Sequence, residues 1–449
     1  MVDVFTNGIP NVPSQWLDDM VLNLKAKNHA EFQREREKLL DAYEGNNAED
    51  LTKDYFKNKE KAVQSSVPNA SQNLIDRAIR RRSLVYKNEP DYGKDIKWPD
   101  GYLPDKRWRF FKGAERAANN IGTVLLRPKT VDEQMRYEWI WNYLPFFDED
   151  PLEPTGIIYS VVAPSADISK SPEIEWLWWT KDTLLLLDSN GKIKPQSDNP
   201  ENINKYGILP FVTVNVRMGR EYWQWGYGKP LLDANTAINV ALTEMRLGIR
   251  FTMMGQWVVT GPLDDTKITK GVDQVIKLPA GSTMEAIAPP AKMAEAVQYI
   301  RTEYDNVFQN MGMKIKWADA GDAPSGISLK IEGIELLELR QDDVAIWKNA
   351  DAELYEIEQV VWKVDFNGEL PERTINFTEV EFPVTPEQQQ SADQWDLDHG
   401  QITEAQILRR NDPDGYKDEA AAQVQVDKNK ATTAPARVAS GASAFSRGA

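Results

Sequence analysis

Apolar residues recur at helical spacing along much of the chain, and the longest such stretch covers residues 327–365. Its apolar positions fall every three or four residues, no proline interrupts it, and only Gly333 weakens it. A helix of this length would measure roughly 55–60 Å, far beyond the globular average, so it needs neighbours along its whole length. The pattern alone leaves two interpretations open, a coiled-coil arm or the central helix of a large domain.

Shorter stretches of the same periodicity predict further helices on both sides of this one. Two of them begin with a capping motif, Thr385 with Gln388 and Thr403 with Gln406. Beyond residue 430 the chain is low in apolar bulk, and we expect residues 431–449 to be disordered. The predicted helices cover approximately residues 1–45, 70–86, 112–120, 131–144, 231–253, 291–311, 386–400 and 404–409.

Strand signals are concentrated in the middle of the chain. Residues 156–163, 174–179, 183–187 and 211–216 are rich in β-branched, aromatic or leucine residues and are bounded by turn formers. A second group of short strands and turns, residues 254–290, separates two amphipathic helices, and one more strand is predicted at residues 374–382. The sequence therefore predicts a mainly α protein with smaller β regions, an α+β fold.

The composition excludes several kinds of chemistry. The 449 residues include no cysteine and two histidines far apart in sequence, His29 and His399, which argues against disulfides, thiolate metal sites and a Ser-His-Asp triad. A phosphate-binding loop of the G-x-x-x-x-G-K-[ST] type is absent, and the glycines at 226 and 228 indicate a turn before a helix. No apolar run reaches the ~18–20 residues that span a bilayer, so we expect no membrane association.

The charge is strongly negative, −16 at pH 7. An acidic chain gains little of the counterion-release affinity that holds proteins on nucleic acids, although an acidic lining would let DNA pass without sticking. Two local clusters allow other interpretations. The arginines at 77 and 80–82 suit phosphate, but pairing with acidic neighbours is favoured. The acidic run 148–150 suits Mg²⁺ in a nuclease, but a surface loop is favoured.

The order helix, β insertion, helix, glycine-containing loop and long helix resembles the portal proteins of tailed bacteriophages. The likeness covers nearly all of residues 10–430, and its specificity comes from the order of individually weak motifs. The segments that carry it are AYEGN at 42–46, LVYKNEP at 84–90, GILPFV at 207–212, GKPLLD at 228–233, AIN at 237–239, SGISLK at 325–330 and, with Trp395, HGQIT at 399–403.

This resemblance implies a non-enzymatic ring, usually of twelve subunits, at one capsid vertex of the virion, assembled in the host cytoplasm. Double-stranded DNA would pass through its channel, and the implied partners are terminase, major capsid protein, scaffold and a head–tail adaptor, with no cofactor or metal. By position, residues 1–227 and 327–384 would form the wing, 228–253 and 291–311 the stem, 254–290 the clip, 312–326 the tunnel loop and 385–430 the crown.

Two other classes of protein stay open, namely another virion ring or adaptor protein and, less favoured, a metal-dependent DNA-processing enzyme.

The resemblance also implies roles for individual residues. For the loop lysines, DNA contact and plain solvation stay equally open, and for the stem arginines pairing with an acid of the next stem is favoured over phosphate contact. The implied sites are Lys314, Lys316, Trp317 and Asp319 in the tunnel loop, Arg246 and Arg250 in the stem, and Trp257, Asp264, Asp265 and Lys267 in the clip.

Overall fold

The protein is a mixed α+β structure, about half helical with several antiparallel sheets. The chain divides into two compact units, residues 1–316 with 335–380 and residues 317–334 with 381–449. The computed structural model describes residues 5–6, 9–10, 27–46, 53–56, 70–93, 96–162, 174–188, 190–217, 219–254, 256–260, 281, 283–287, 293–314, 326–378, 386–412, 415–416 and 418–439.

Nine helices are found in this described part, and the long one is continuous through Gly333 over 41 residues. One further helical turn covers residues 53–56. The helices are α1 Lys27–Glu44, α2 Leu74–Arg82, α3 Pro104–Ile121, α4 Gly228–Met254, α5 Met293–Gln309, α6 Gly326–Phe366, α7 Pro386–Asp398, α8 Glu404–Asn411 and α9 Glu419–Ala439.

All strand pairs are antiparallel, and the two larger sheets follow α3 in the chain. One sheet has the order β4-β3-β9 and the other the order β5-β6-β7-β8, while β1-β2 and β10-β11 are isolated pairs. The strands are β1 Phe5–Thr6, β2 Ile9–Pro10, β3 Thr123–Val131, β4 Gln134–Ile140, β5 Tyr143–Phe147, β6 Pro154–Val162, β7 Ile174–Thr180, β8 Leu184–Leu187, β9 Val212–Asn215, β10 Gln256–Thr260 and β11 Thr283–Ile287.

The predicted helix at residues 131–144 is wrong. This stretch holds the end of β3, a two-residue turn, all of β4 and the start of β5. The turn residues Asp132 and Glu133 both have positive φ, 51° and 58°, as a tight hairpin requires. Met135, Tyr137 and Trp139 then alternate along β4, which is the strand period. Because Asp-Glu lacks the usual Asn-Gly signature, the turn gives no signal in the sequence.

Several other helices and strands begin or end away from their predicted boundaries. Helix α2 is shorter than the predicted 70–86, because residues 70–73 are extended before it and Ser83 ends it. Helix α3 begins earlier than predicted, at Pro104, a residue suited to the first helical turn. The predicted strand 374–382 is reduced, within the described residues, to one bridge between Asp91 and Asn376. Helix α9 continues to Ala439, beyond the predicted start of disorder.

Two apolar clusters hold the helices of the first unit together. One contains Phe111 of α3, Val124 of β3, Val212 of β9, and Trp347 and Leu354 of α6, so the long helix packs on the helical and strand layers. The other lies among α2, α4 and α5. A further cluster joins the two larger sheets and includes Tyr143, Ile157 and Trp179.

The second unit has a small apolar cluster of its own. Ala405 of α8 packs with Ala422 and Val426 of α9, and Leu408 and Tyr416 cover them. The predicted capping box of α8 is confirmed: the Thr403 hydroxyl accepts from the Gln406 N–H, and the Gln406 side chain accepts from the Thr403 N–H. Thr385, the other predicted cap, lies outside the described residues.

Candidate functional site

Helices α4 and α5 pack side by side, and the β10–β11 hairpin joins them at one end. Their shared cluster buries Ile238 of α4 together with Ile300 and Phe308 of α5. At 1.5 Å per residue, α4 is roughly 40 Å long and α5 roughly 25 Å long. The pair therefore forms a helical hairpin that ends in a β hairpin.

The part of this helix pair nearest the β hairpin exposes apolar side chains. Ile249 of α4 is 40 % exposed, and on α5 Val297 is 39 % and Tyr299 is 52 % exposed. Val297 and Tyr299 are two residues apart and therefore lie on different sides of α5, so apolar area is exposed on more than one side of the helix pair. Exposed apolar side chains at such positions suit contact with other protein chains. We call these three residues the exposed stem residues.

The other half of α4 binds an extended segment, residues 70–74, through a ladder of buried polar side chains. Asn235, Asn239 and Thr243 lie four residues apart on α4 and are at most 3 % exposed. Their oxygens accept from the backbone N–H groups of Leu74, Gln72 and Ala70 at 3.1, 3.0 and 3.0 Å. The spacings agree because four helical residues rise ~6 Å and two extended residues ~6.6 Å.

Asn239 makes the ladder reciprocal. Its amide nitrogen donates to the Gln72 carbonyl at 3.0 Å while its oxygen accepts from the Gln72 N–H. A side-chain amide paired in this way satisfies both backbone groups of one extended residue. The three side chains of α4 therefore bind backbone groups that a neighbouring strand would otherwise bind, and they fix the start of α2 on α4.

The end of α2 is attached to the long helix and to α3. Arg82 is 1 % exposed and forms an ion pair with Asp343 of α6, with a second bond from Nη2 to Oδ1 at 3.1 Å. The carboxylate of Glu115 in α3 accepts from the N–H groups of Val85 and Tyr86 at 2.8 and 3.0 Å. Arg340 of α6 donates to the Leu84 carbonyl at 3.1 Å. Helix α2 is thus held between three larger helices.

A buried ionic cluster fixes the position of α6 against α3. Arg107 of α3 donates to Asp351 at 2.6 Å and to Glu358 at 2.8 Å, and all three side chains are at most 1 % exposed. Arg373 also pairs with Asp351, and the Tyr102 hydroxyl donates to Glu358 at 2.6 Å. Burial alone would lower the pKa of Arg107, but the two carboxylates outweigh it and raise that pKa well above its usual value.

The glycines at 226 and 228 have a packing role. A Cβ on Gly226 would lie 2.5 Å from the Asn119 carbonyl oxygen, and one on Gly228 would lie 2.5 Å from that of Asn120. The Tyr227 N–H donates to the Asn119 carbonyl at 2.7 Å. The predicted turn before a helix is confirmed, because α4 begins at Gly228 against the end of α3.

Few of the site residues implied by the sequence have described side chains. Lys314 is exposed just after α5, and Arg246 is exposed on α4. Arg250 and Trp257 lie on α4 and β10, but their side chains are outside the described part. Lys316, Trp317 and Asp319 of the loop and Asp264, Asp265 and Lys267 of the predicted clip also lie outside the described residues.

The residues that organise this region were not among those predicted. A signal existed for the ladder, since Asn235, Asn239 and Thr243 repeat every four residues along one side of the helix. A similar signal existed on α6, where Asp351, Glu358 and Asp365 repeat every seven residues. The acidic residues of α6 thus include carboxylates paired inside the first unit.

The acidic run 148–150 forms an exposed turn after β5. Among the described residues no group of three or more His, Cys, Asp or Glu side chains is arranged to hold a metal ion. Within the same part of the chain, no helix combines the length and apolar character needed to cross a membrane.

No family model and no curated protein matches this chain. A functional assignment therefore depends on the order of the elements and on the contacts among them.

Proposed function

We propose that this chain is the portal protein of a tailed bacteriophage, a ring-forming conduit for DNA at one capsid vertex. The observation that carries the proposal is the succession of α4, the β10–β11 hairpin, α5, an intervening segment and the 41-residue α6. In this reading α4 and α5 are the stem, the β hairpin belongs to the clip, and residues 315–325 belong to the tunnel loop. The helices of the second unit are the crown.

The exposed stem residues support self-association. A closed ring needs two different complementary faces on every subunit, since each copy contacts its two neighbours through different surfaces. Ile249, Val297 and Tyr299 supply apolar area outside the packed interior of one chain, next to the β hairpin. In a ring, the neighbouring stem would remove this area from water, at about 25 cal/mol per Å² of apolar surface.

The negative net charge of the chain is compatible with a DNA duplex that slides through a ring of its copies. A ring of copies that each carry −16 surrounds the duplex with negative potential, which disfavours tight binding and leaves DNA able to slide. Terminase, scaffold, major capsid protein and a head–tail adaptor would bind the outside of such a ring. The proposed ring consists of copies of this chain alone, so its assembly can be tested with the purified chain.

The first experiment measures the size and form of the purified particle. We expect light scattering to give the mass of ten or more subunits, with twelve as the expected number, and negative-stain images to show rings with a central hole. A monodisperse monomer or dimer would contradict the portal assignment. Magnesium-dependent cleavage of DNA, lost on changing Asp148 and Asp150 to Asn, would favour a DNA-processing enzyme instead.

A further inference from the structure

The outward face of α2 is an arginine stripe in an acidic protein. Arg77, Arg80 and Arg81 are exposed and lie three and four residues apart, on one face of the helix. Arg80 pairs with Asp76, its Nε lying 2.6 Å from Oδ1. Arg77 and Arg81 form no ion pair with any residue that the structure describes. Two cationic groups therefore remain available to a partner.

The ordinary reason for arginines at a helix end explains only part of this stripe. The carboxyl end of a helix carries partial negative charge, so cations in its last turn stabilise it. Arg80, Arg81 and Arg82 occupy the last turn of α2, and Arg82 is used internally by Asp343. Arg77 lies in the first half of the nine-residue helix, outside the reach of this effect. The partial charge at the end of the helix therefore does not explain Arg77.

The stripe is held rigidly, because α2 is fixed at both ends. The N-cap residue Asn73 accepts from the Asp76 N–H at 3.1 Å and donates to the Tyr43 carbonyl of α1 at 2.9 Å. The ladder of α4 holds the extended segment just before it, and the Arg82–Asp343 pair holds its end. An arginine on such a helix loses less conformational entropy on binding than one on a free loop.

Helix α2 also adjoins the segment that leads to the proposed tunnel loop. Met311 and Met313, which follow α5, pack in the same buried cluster as Leu74, Ile75 and Ile79 of α2. The Tyr304 hydroxyl of α5 donates to the Gln72 side chain at 2.8 Å. Lys314 is exposed directly after Met313. The chain thus leaves α5 beside the helix that carries the arginines.

We propose that Arg77 and Arg81 bind the phosphate backbone of double-stranded DNA, with Lys314 beside them, at the level where the chain enters the loop. The inference rests on the proposed function, which brings DNA to this part of the molecule. Arginine suits phosphate because its planar guanidinium donates two parallel hydrogen bonds. The contact is independent of base sequence, since phosphates carry no sequence information. A few such contacts in an acidic ring position the duplex without holding it.

The test compares Arg77→Gln/Arg81→Gln with wild type, using the full-length protein and a labelled random-sequence DNA duplex. Each phosphate contact contributes about 0.9 to the slope of log K against log salt. We expect the double variant to lower that slope by about one to two and to weaken binding about tenfold per lost contact near 0.1 M salt. Fluorescence anisotropy over a salt series measures both quantities, and light scattering checks assembly.

The matched control is Lys181→Gln/Lys192→Gln, which removes the same charge from exposed sites beside β7 and β8. We expect it to keep the wild-type slope. An arginine variant with wild-type slope and affinity would overturn the proposal, as would equal losses in both double variants. Failure of the arginine variant to assemble would assign the stripe to an acidic surface of a second copy and would overturn DNA contact. DNA binding through these arginines without any ring would overturn only the portal assignment.

Discussion

At the scale of single residues, Glu115 is a buried carboxyl group whose pKa is shifted by its surroundings. Its carboxyl group is 1 % exposed and accepts the N–H groups of Val85 and Tyr86. Burial raises the pKa of Glu115 from 4.5 to about 7, although the two backbone hydrogen bonds lower it. The folded protein therefore keeps a proton at pH values where the unfolded chain has released it.

This difference predicts that Glu115 makes the protein less stable as pH rises. In the window between pH 4.5 and about 7 the folded state binds more protons than the unfolded state, so the free energy of unfolding falls. The contribution of this group should decrease by up to about 3 kcal/mol across the window. Denaturant unfolding of wild type and Glu115→Gln at pH 5 and pH 7, at one protein concentration, measures it.

We expect the difference between wild type and Glu115→Gln to change with pH in this direction, because glutamine carries no titratable proton. Glu335→Gln removes an exposed carboxyl from α6 and serves as the control, which should follow wild type. A pH dependence that Glu115→Gln leaves unchanged would show that the carboxyl at 115 does not titrate in this range.

The polar ladder gives a second prediction at residue scale. Thr243→Val keeps the shape of the side chain but leaves the Ala70 N–H without the hydroxyl that accepts it at 3.0 Å. We expect a loss of about 1–3 kcal/mol in the free energy of unfolding, the usual cost of a buried polar group without a partner. Amide hydrogen exchange in residues 70–74 should become faster, because the segment loses one of its three attachments to α4.

Thr302→Val is the control for this change. The Thr302 hydroxyl is exposed and bonds only within its own helix, to the Gln298 carbonyl at 2.9 Å. It should leave both stability and exchange near the wild-type values. Equal effects of the two valine substitutions would mean that the ladder contributes no more than a local helix contact.

At the scale of elements, sequence periodicity predicted the long and strongly amphipathic parts of the fold. Helix α6 was predicted within one residue at each end and α4 within three, and the strands at 174, 184 and 212 follow their predicted runs closely. Each of these elements has many apolar positions, so the hydrophobic pattern determines it. Short elements depend on contacts distant in sequence. Within the wrongly predicted helix 131–144, β4 pairs with β3, and β5 begins and pairs with β6.

The contacts within the candidate site could not be predicted from the sequence in the same way. The ladder joins residues separated by more than 160 positions, and the Arg107 cluster joins residues separated by about 250. A single sequence shows the polar positions on α4 and α6 but not their partners. The arginines of α2 were expected to pair with acids, which holds for Arg80 and Arg82 and not for Arg77 or Arg81 among the described residues.

At the scale of the whole molecule, the central question is what covers the exposed stem residues. A lone chain would leave Val297 and Tyr299 in water on different sides of α5, whereas a ring would bury them against the stems of the two neighbouring copies. Tyr299→Glu with Val297→Glu therefore places two charges inside the proposed interface. We expect the variant to remain folded, because both residues are exposed in the single chain, but to lose the ring and give a much smaller mass by light scattering.

The control is Val131→Glu with Ile193→Glu, which changes two residues of the same exposure, 41 % each. Val131 is the last residue of β3, and Ile193 is bridged to Leu187, the last residue of β8. This variant carries the same added charge and should assemble as wild type does. Circular dichroism of both variants separates a lost interface from a lost fold. If the stem variant formed complete rings, Val297 and Tyr299 would lie outside the subunit contacts. The contact would then have to use a different surface of α4 and α5, even though the portal assignment survived.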